Sequence, residues 1–561
     1  MTTFAAAAGL ALAAGGVRQA FGVVGNGNVY AVDALVASGV SYTPARHEGG
    51  AIVMADAYYR TTGEVAVCTT TWGPGLTNVA TGLADAVKHG SGVLLLSGDR
   101  PAFRPGRPTD IDQSAFVGAL GAEEVRLTDP ATVRAGAAAA LRRARQGRRP
   151  VVLSLPDDLL NAEVPDGPAG PAAGLPARVW PSAVGIEAAL DVLAGARRPL
   201  LLAGLGAWRA GAAQPLAALA DRIGALVATT VMADGLFAGH DWSLGICGGF
   251  ASPRAAGIIG RADAVLAFGT SLNNFTLHGG RLIDPDATVV RVDLPGVRPA
   301  GRVDLEVTGD AAAAAVKLLD GVRRRGLPAS GWRAEVGLDI GRTGWALQPY
   351  EDASTDGLID PRTLSRELAG LLPPDRTLVT DGGHFVGWPI MYWPVPDPAA
   401  LVFTGAAFMG IGLGFAGAVG AAVGRPDRTT VVALGDGGAL MGLPELETLV
   451  REVKSALVVI YNDAAYGWEV HTYGDVASDR RPMTFPDTDF AAVARALGAA
   501  AVTVRTVGDL AAVRDWRDRG CPGTLVLDCK IVPSVVAGYL TDLRPQLRAG
   551  GAPVPAPALA G

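Results

Sequence analysis

The stretch that decides the fold runs Thr429-Thr-Val-Val-Ala-Leu-Gly-Asp436-Gly-Gly438, passes through Pro444-Glu-Leu-Glu-Thr-Leu-Val-Arg451, and ends in Ala456-Leu-Val-Val-Ile-Tyr-Asn462-Asp463. Its two outer runs are apolar without alternation, as in strands buried on both faces, and the run between them reads as a helix. Strand, helix and strand of this kind form the repeating unit of a parallel α/β sheet. Such sheets bind ligands outside the carboxyl ends of their strands, and both Asp436 and Asp463 fall there. Gly435, Gly437 and Gly438 let backbone N–H groups approach a phosphate, and the following helix start adds favourable potential. Two carboxylates beside phosphate oxygens suit Mg²⁺, which takes oxygen ligands and shares them with a diphosphate. Gly-Asp-Gly alone is an ordinary turn; the second strand-end acid gives it weight.

The same alternation extends along the whole chain, in runs such as Ala66-Val-Cys-Thr, Gly92-Val-Leu-Leu-Leu-Ser and Pro150-Val-Val-Leu-Ser-Leu-Pro. It breaks in the Pro/Gly-rich segment from Val164 to Pro181 and again in the polar segment Gly344 to Asp360. The expected architecture is therefore α/β, with three doubly wound parallel-sheet domains at 1–165, 182–343 and 358–535. Residues 536–561 read as a C-terminal tail. The chain of 561 residues has room for these cores. Its 48 basic and 54 acidic residues offer no footprint for nucleic acid or an anionic membrane. Its four cysteines include no CxxC, which argues against a disulfide framework or a zinc site. The first basic residue is Arg18, too late for a signal peptide, and no apolar window is long enough to span a membrane. A soluble, cytoplasmic protein is expected. The 75 glycines, roughly twice the usual share, fit a backbone that wraps closely around ligands.

The first unit adds a second constellation. Val40-Ser-Tyr-Thr-Pro44 leads into Arg46-His-Glu48-Gly-Gly50 and the helical run Ala51-Ile-Val-Met-Ala-Asp-Ala-Tyr-Tyr-Arg60. A glutamate at such an edge is either a helix-starting surface acid or a buried acid with a raised pKa. Thr69-Thr-Thr-Trp-Gly-Pro-Gly-Leu-Thr-Asn78 is a strand end, a tight turn and a helix start, which again exposes backbone to a ligand.

The Arg46-His-Glu-Gly-Gly segment with Trp72-Gly-Pro-Gly-Leu-Thr-Asn78 resembles the pyrimidine-binding domain of thiamine-diphosphate-dependent enzymes. The likeness is greatest to the acetolactate synthase-like branch, with similarity also to 2-hydroxyacyl lyases of the benzaldehyde lyase type. Gly435-Asp-Gly through Asn462-Asp463 is similar to that family's cofactor and metal motif. Met409-Gly-Ile-Gly-Leu resembles its Met-Gly-x-Gly-Leu segment, with Gly414 where proline is usual.

The resemblance implies roles residue by residue. Glu48 would protonate the aminopyrimidine so that its imino form can take the thiazolium proton, and Gln113 would face the reacting carbon. Thr71, Pro74 and Asn78 would line the pyrimidine pocket, and Gly25 would also contact the cofactor. Met409 would wedge under the bent cofactor. Gly383, His384, Phe385, Gly435, Gly437, Gly438, Tyr466 and Gly467 would surround the diphosphate. Asp436, Asp463 and the Ala465 carbonyl would hold Mg²⁺. His471 adjoins these motifs, whereas His89, His240 and His278 are expected to satisfy local hydrogen bonds. Some relatives hold FAD or ADP in the central domain. Here Gly204-Leu-Gly206 fits close strand–helix packing as well as a phosphate. Gly269-Thr-Ser-Leu-Asn-Asn-Phe275 replaces an arginine- and aspartate-rich segment, and Thr472 stands where acetolactate synthases carry tryptophan.

The implied activity is formation or cleavage of a C–C bond beside a carbonyl, with decarboxylation of a 2-keto acid and carboligation as the leading form. A 2-hydroxyacyl or acyloin lyase and a non-catalytic nucleotide-binding regulator are the alternatives. The implied assembly is a homodimer or a dimer of dimers, with cofactors between chains.

Overall fold

The computed structural model describes residues 2–104, 106–165 and 178–548. Most of the expected Pro/Gly linker, and the stretch beyond Arg548, lie outside them. Three six-stranded, all-parallel sheets follow one another along the chain, the doubly wound α/β architecture expected from the buried-strand runs. A short antiparallel pairing of Thr2–Thr3 with Glu163–Val164 ties together the ends of the first unit.

Numbered along the chain within each unit, the first and third sheets share the order 2-1-3-4-6-5, and the central sheet has the order 3-2-1-4-5-6. Ligands in such sheets sit where the order reverses. In the third sheet the reversal lies between Arg376–Thr380 and Thr429–Gly435. In the first it lies between Gln19–Gly22 and Ala66–Thr70. In register, Gly435 pairs with Tyr461, so Asp436 and Asp463 leave adjacent strands almost level.

The outer units are joined by two helices. Glu48–Thr62 is capped by His47, whose Nδ1 accepts from the Gly49 N–H, and it ends at Gly63 with φ +74°, the left-handed stop that glycine takes without strain. It packs on Gly414–Gly424, a helix made almost wholly of small residues. At Gly420 the two backbones come so close that a Cβ would lie 2.7 Å from the Met54 carbonyl carbon. Ile52 and Met54 share one buried cluster with Phe415, Val419 and Leu446, so the first and third units share a core.

One expected boundary is corrected. Residues 536–561 do not begin as a tail, because Gly538–Arg548 is a helix. Its Tyr539 hydroxyl donates to the carbonyls of Gly383 and His384, both at 3.0 Å, and Arg548 donates to the Thr472 carbonyl. Among the described residues no helix is long and apolar enough to cross a membrane.

Candidate active site

The carboxyl edge of the third sheet opens into a cavity of about 1050 Å³. Asp436, 2 % exposed, begins a helix there, and its Oδ1 accepts from the Gly437 N–H at 2.8 Å. Its Oδ2 is buried with no partner. Burial raises the Asp436 pKa, and burial together with the neighbouring Asp436 charge raises that of Asp463. A buried acid pair with one orphan oxygen is a costly arrangement, and a hard divalent cation would relieve it by supplying both charge and coordination. Ala465 lines the cavity beside them.

Glycines shape the same wall. A Cβ on Gly437 would lie 2.6 Å from the Tyr466 ring, one on Gly435 2.8 Å from Phe385, and one on Gly467 2.9 Å from Asp463 Oδ2. The backbone therefore comes to the cavity without side chains, as a phosphate cradle requires. Gly383 adopts φ +128°. Its neighbour His384 is buried, and burial first, then His471, depresses its pKa well below the ordinary range. Because Nε2 accepts from the Ala537 N–H at 2.8 Å, the neutral ring carries its proton on Nδ1, where it can donate to an anion. His471 Nε2 is buried without a partner.

One feature here carried no sequence expectation, and another was set aside. Asp381 is fully buried; burial lifts its carboxyl to about 7 against the pull of backbone donors. It accepts from the N–H groups of Gly412 at 2.6 Å and Leu413 at 3.0 Å, anchoring the loop that carries Met409. Its place directly after Leu378-Val-Thr380 at a switch-point strand was the available signal. His89, set aside with His240 and His278, lines the cavity beside Lys88.

The first-sheet edge gathers the other expected residues. Asn78 donates to Glu48 Oε2 at 2.9 Å, and a Cβ on Gly75 would meet both Thr71 and Glu48 Oε1. The Gly27 N–H donates to the Thr71 hydroxyl, and a Cβ on Gly25 would touch Thr71. Pro74 opens the short helix after this turn. Glu48 is half-buried at the start of its helix, so the chain alone does not make it the buried acid that one reading expected. Glu445 of the third unit holds this segment. Its Oε1 accepts from the N–H groups of Arg46 and His47 at 3.1 and 3.0 Å, and Gly50 leaves it room.

Gln113 is held beside the Gly-Pro-Gly turn. It is 2 % exposed; its Oε1 accepts from the Gly73 N–H, and its Nε2 donates to the Gly98 carbonyl. Its carboxamide thus holds the Gly-Pro-Gly turn in place. None of Gly25, Glu48, Thr71, Pro74, Asn78 and Gln113 lines the cavity that contains Asp436. One chain builds two half-sites and does not bring them together.

At the central sheet, the Gly206 N–H donates to the Gly269 carbonyl at 2.9 Å, and a Cβ on Gly206 would lie 2.7 Å from Gly269 Cα. Arg291, with no exposed surface, pairs with Asp293 and Glu306 and donates to the Thr270 and Val297 carbonyls. The glycine pair is thus used for packing, and the strand-end acid is neutralised internally. These residues do not fit the phosphates of FAD or ADP. Instead Thr230, Ser271, Asn274 and Phe275 from this edge form a wall of the large cavity.

Residues 2–116 match the thiamine pyrophosphate enzyme N-terminal TPP-binding domain, 186–318 the central domain of the same enzymes, and 381–526 their C-terminal TPP-binding domain. The chain belongs to the thiamine-diphosphate-dependent enzymes of the acetolactate synthase-like family. It is 30 % identical to an acetolactate synthase large subunit of Parasynechococcus marenigrum, with 87 % of this chain and 81 % of that one covered. It is 30 % identical to a probable 2-ketoarginine decarboxylase of Pseudomonas aeruginosa and 28 % identical to the large subunit of acetolactate synthase isozyme 3 of Escherichia coli, with 86 % of each chain covered in both pairs. In this family setting the two half-sites fall in the two thiamine-diphosphate-binding domains, and the Asp436 edge offers the donors and the space that a diphosphate needs.

Proposed function

We propose that this thiamine-diphosphate-dependent enzyme also requires Mg²⁺, decarboxylates a 2-keto acid, and joins the resulting acyl unit to a carbonyl acceptor at sites shared between two copies of the chain. The observation that carries the shared site is the separation of the half-sites, each rimmed by exposed apolar side chains. Val24 is 51 % exposed, with Val29 and Tyr30 close by in sequence, and Met409 is 77 % exposed, with Met441 at 53 %. Exposed apolar patches of this kind mark interfaces, and a two-fold axis would set the Glu48 edge of one copy against the Asp436 edge of the other twice over. In this reading residues 1–165 take the pyrimidine, 358–535 take the diphosphate, and 182–343 supply a wall of the substrate cavity.

When bound, thiamine diphosphate supplies an electron sink for the carbon beside the carbonyl. Asp436 and Asp463, with the Ala465 carbonyl, would hold the cation. The backbone N–H at Gly438, with the His384 Nδ1–H, would take the diphosphate oxygens, while the Gly437 N–H holds Asp436. Glu48, oriented by Asn78, would hold and return a proton at the pyrimidine ring nitrogen. Met409, projecting from a loop fixed by Asp381, would support the cofactor from below.

A second reading is favoured by one feature. The described lining of the cavity contains no arginine, and its only lysine is the exposed Lys88. An acyloin substrate without a carboxylate would need no such cation. Incubation of the purified protein, Mg²⁺ and thiamine diphosphate with a panel of 2-keto acids and acyloins separates the two. CO₂ release with a new acyloin product supports the first reading, and aldehyde release from acyloins without CO₂ supports the second. No turnover on either panel, with the cofactor shown to be bound, would remove both.

A further inference from the structure

We propose that Asp85 is a positioning residue: held by Arg60 in the first unit, it fixes the conformation of the loop that presents Met409 in the third. The inference rests on the reading of Met409 as the cofactor's support.

Met409 adopts φ +59°, a left-handed conformation uncommon for a side-chain-bearing residue. Its side chain is largely exposed in the chain, so its own packing does not hold it there. The backbone around it does. Asp85 Oδ1 accepts from the N–H groups of Ala407 and Phe408, each at 3.0 Å, and Oδ2 accepts from the Gly405 N–H at 3.1 Å. Arg60 donates to the same Oδ2 at 2.6 Å, to both oxygens of Asp56, and through Nη1 to the Phe403 carbonyl at 2.8 Å. Asp56, Arg60 and Asp85 are all nearly fully buried. With Asp381 gripping Gly412 and Leu413, the loop is suspended between two buried carboxylates, one from each unit.

The chemistry explains why the residue is an acid. Asp85 accepts at both oxygens, and Arg60 lies between its carboxylate and that of Asp56 in a buried cluster. If the loop swung away, a buried carboxylate would lose three of its four donors, and such a group is strongly disfavoured without them. The loop conformation is therefore coupled to an ion pair more than 300 positions away in the chain.

Asp85→Asn tests this, because a carboxamide accepts at one atom only. Whichever way it sits, either Gly405 or the Ala407/Phe408 pair faces an NH₂ group. Asp56→Asn is the control: it weakens the same buried arginine cluster and touches no residue of the loop. Amide exchange is read first on the cofactor-free protein. Exchange at 405–408 should quicken roughly tenfold or more in Asp85→Asn and stay near wild type in Asp56→Asn, while both variants melt at lower temperature. In the loaded enzyme Asp85→Asn should lower kcat with little change in substrate KM. Unchanged exchange at 405–408 in Asp85→Asn, or equal loosening in Asp56→Asn, overturns the proposal. If Asp85→Asn does not fold, Arg60→Lys, which keeps the charge but loses the fork to Asp56, Asp85 and Phe403, is held to the same exchange result. Wild-type turnover in Met409→Ala would overturn the support role of Met409, a failure the cofactor-free exchange measurement does not share.

Discussion

Complementation between two inactive chains tests the shared site most directly. Glu48→Gln disables the acid half-site, and Asp436→Ala disables the cation half-site. In a two-fold dimer with sites between chains, a heterodimer of the two variants places both lesions in one site and leaves the other intact. Random pairing of equal amounts gives heterodimers as about half of all dimers, each with one working site of two. The mixture should therefore recover about a quarter of wild-type turnover, and heterodimers purified through two different tags about half. If each site lay within one chain, every site would carry a lesion and nothing would be recovered. The half-sites lie in different units and none of the Glu48 set lines the Asp436 cavity, which is why recovery is expected. The assay is co-expression, tandem affinity purification, native mass spectrometry to prove the heterodimer, and turnover on the substrate found above. A verified heterodimer as inactive as either parent would rule out a site shared between chains.

Three further outcomes follow from single sites. Glu48→Gln alone should retain thiamine diphosphate by calorimetry yet lose roughly 10²–10⁴-fold in turnover, since the amide keeps the shape but cannot trade the proton. Asp436→Ala should abolish metal-dependent cofactor retention; if EDTA leaves cofactor affinity unchanged in the wild type, the acid pair is not what anchors the diphosphate. Gly420→Ala inverts the usual rule: alanine normally stabilises a helix interior by about 0.5–1 kcal/mol relative to glycine, but here its methyl would press on the Met54 backbone. A net loss of about 1–3 kcal/mol, read as a lower melting temperature, is expected, and a raised one would show that the two helices can part.

What was legible in the sequence was local. Two unbroken apolar runs ending in Asp436 and Asp463 placed both acids on adjacent strand ends, because parallel strands bring their carboxyl ends to one edge whatever the loops do. What was not legible depends on contacts across the chain. Gln113 lies beside the right turn, but whether its carboxamide faces a substrate or the Gly73 and Gly98 backbone is decided by the packing of the loop before it. Asp85 and Arg60 sit in ordinary helical patterns, and nothing local announces that they meet residues beyond 400. The segment Gly538–Arg548 lies within the stretch expected as a tail and begins with a glycine just past Pro533. It is helical because Tyr539 finds two carbonyls and Arg548 a third.

The two outer sheets share one strand order, and each concentrates its functional side chains at the same switch point. Within one chain these sheets are joined through the helices Glu48–Thr62 and Gly414–Gly424, whose small residues let them pack almost backbone to backbone. Beside that junction, the residues of the Glu48 edge do not line the cavity that holds Asp436. Each edge keeps its apolar rim exposed, including a methionine held in a left-handed turn by carboxylates from both units. In the proposed shared-site arrangement, the other edge on a second copy covers these rims. If that arrangement is right, size-exclusion chromatography of Gly420→Ala, which loosens the junction between the two outer units, should show a smaller dimer fraction beside the lower melting temperature; an unchanged dimer fraction would show that the edges pair independently of the junction.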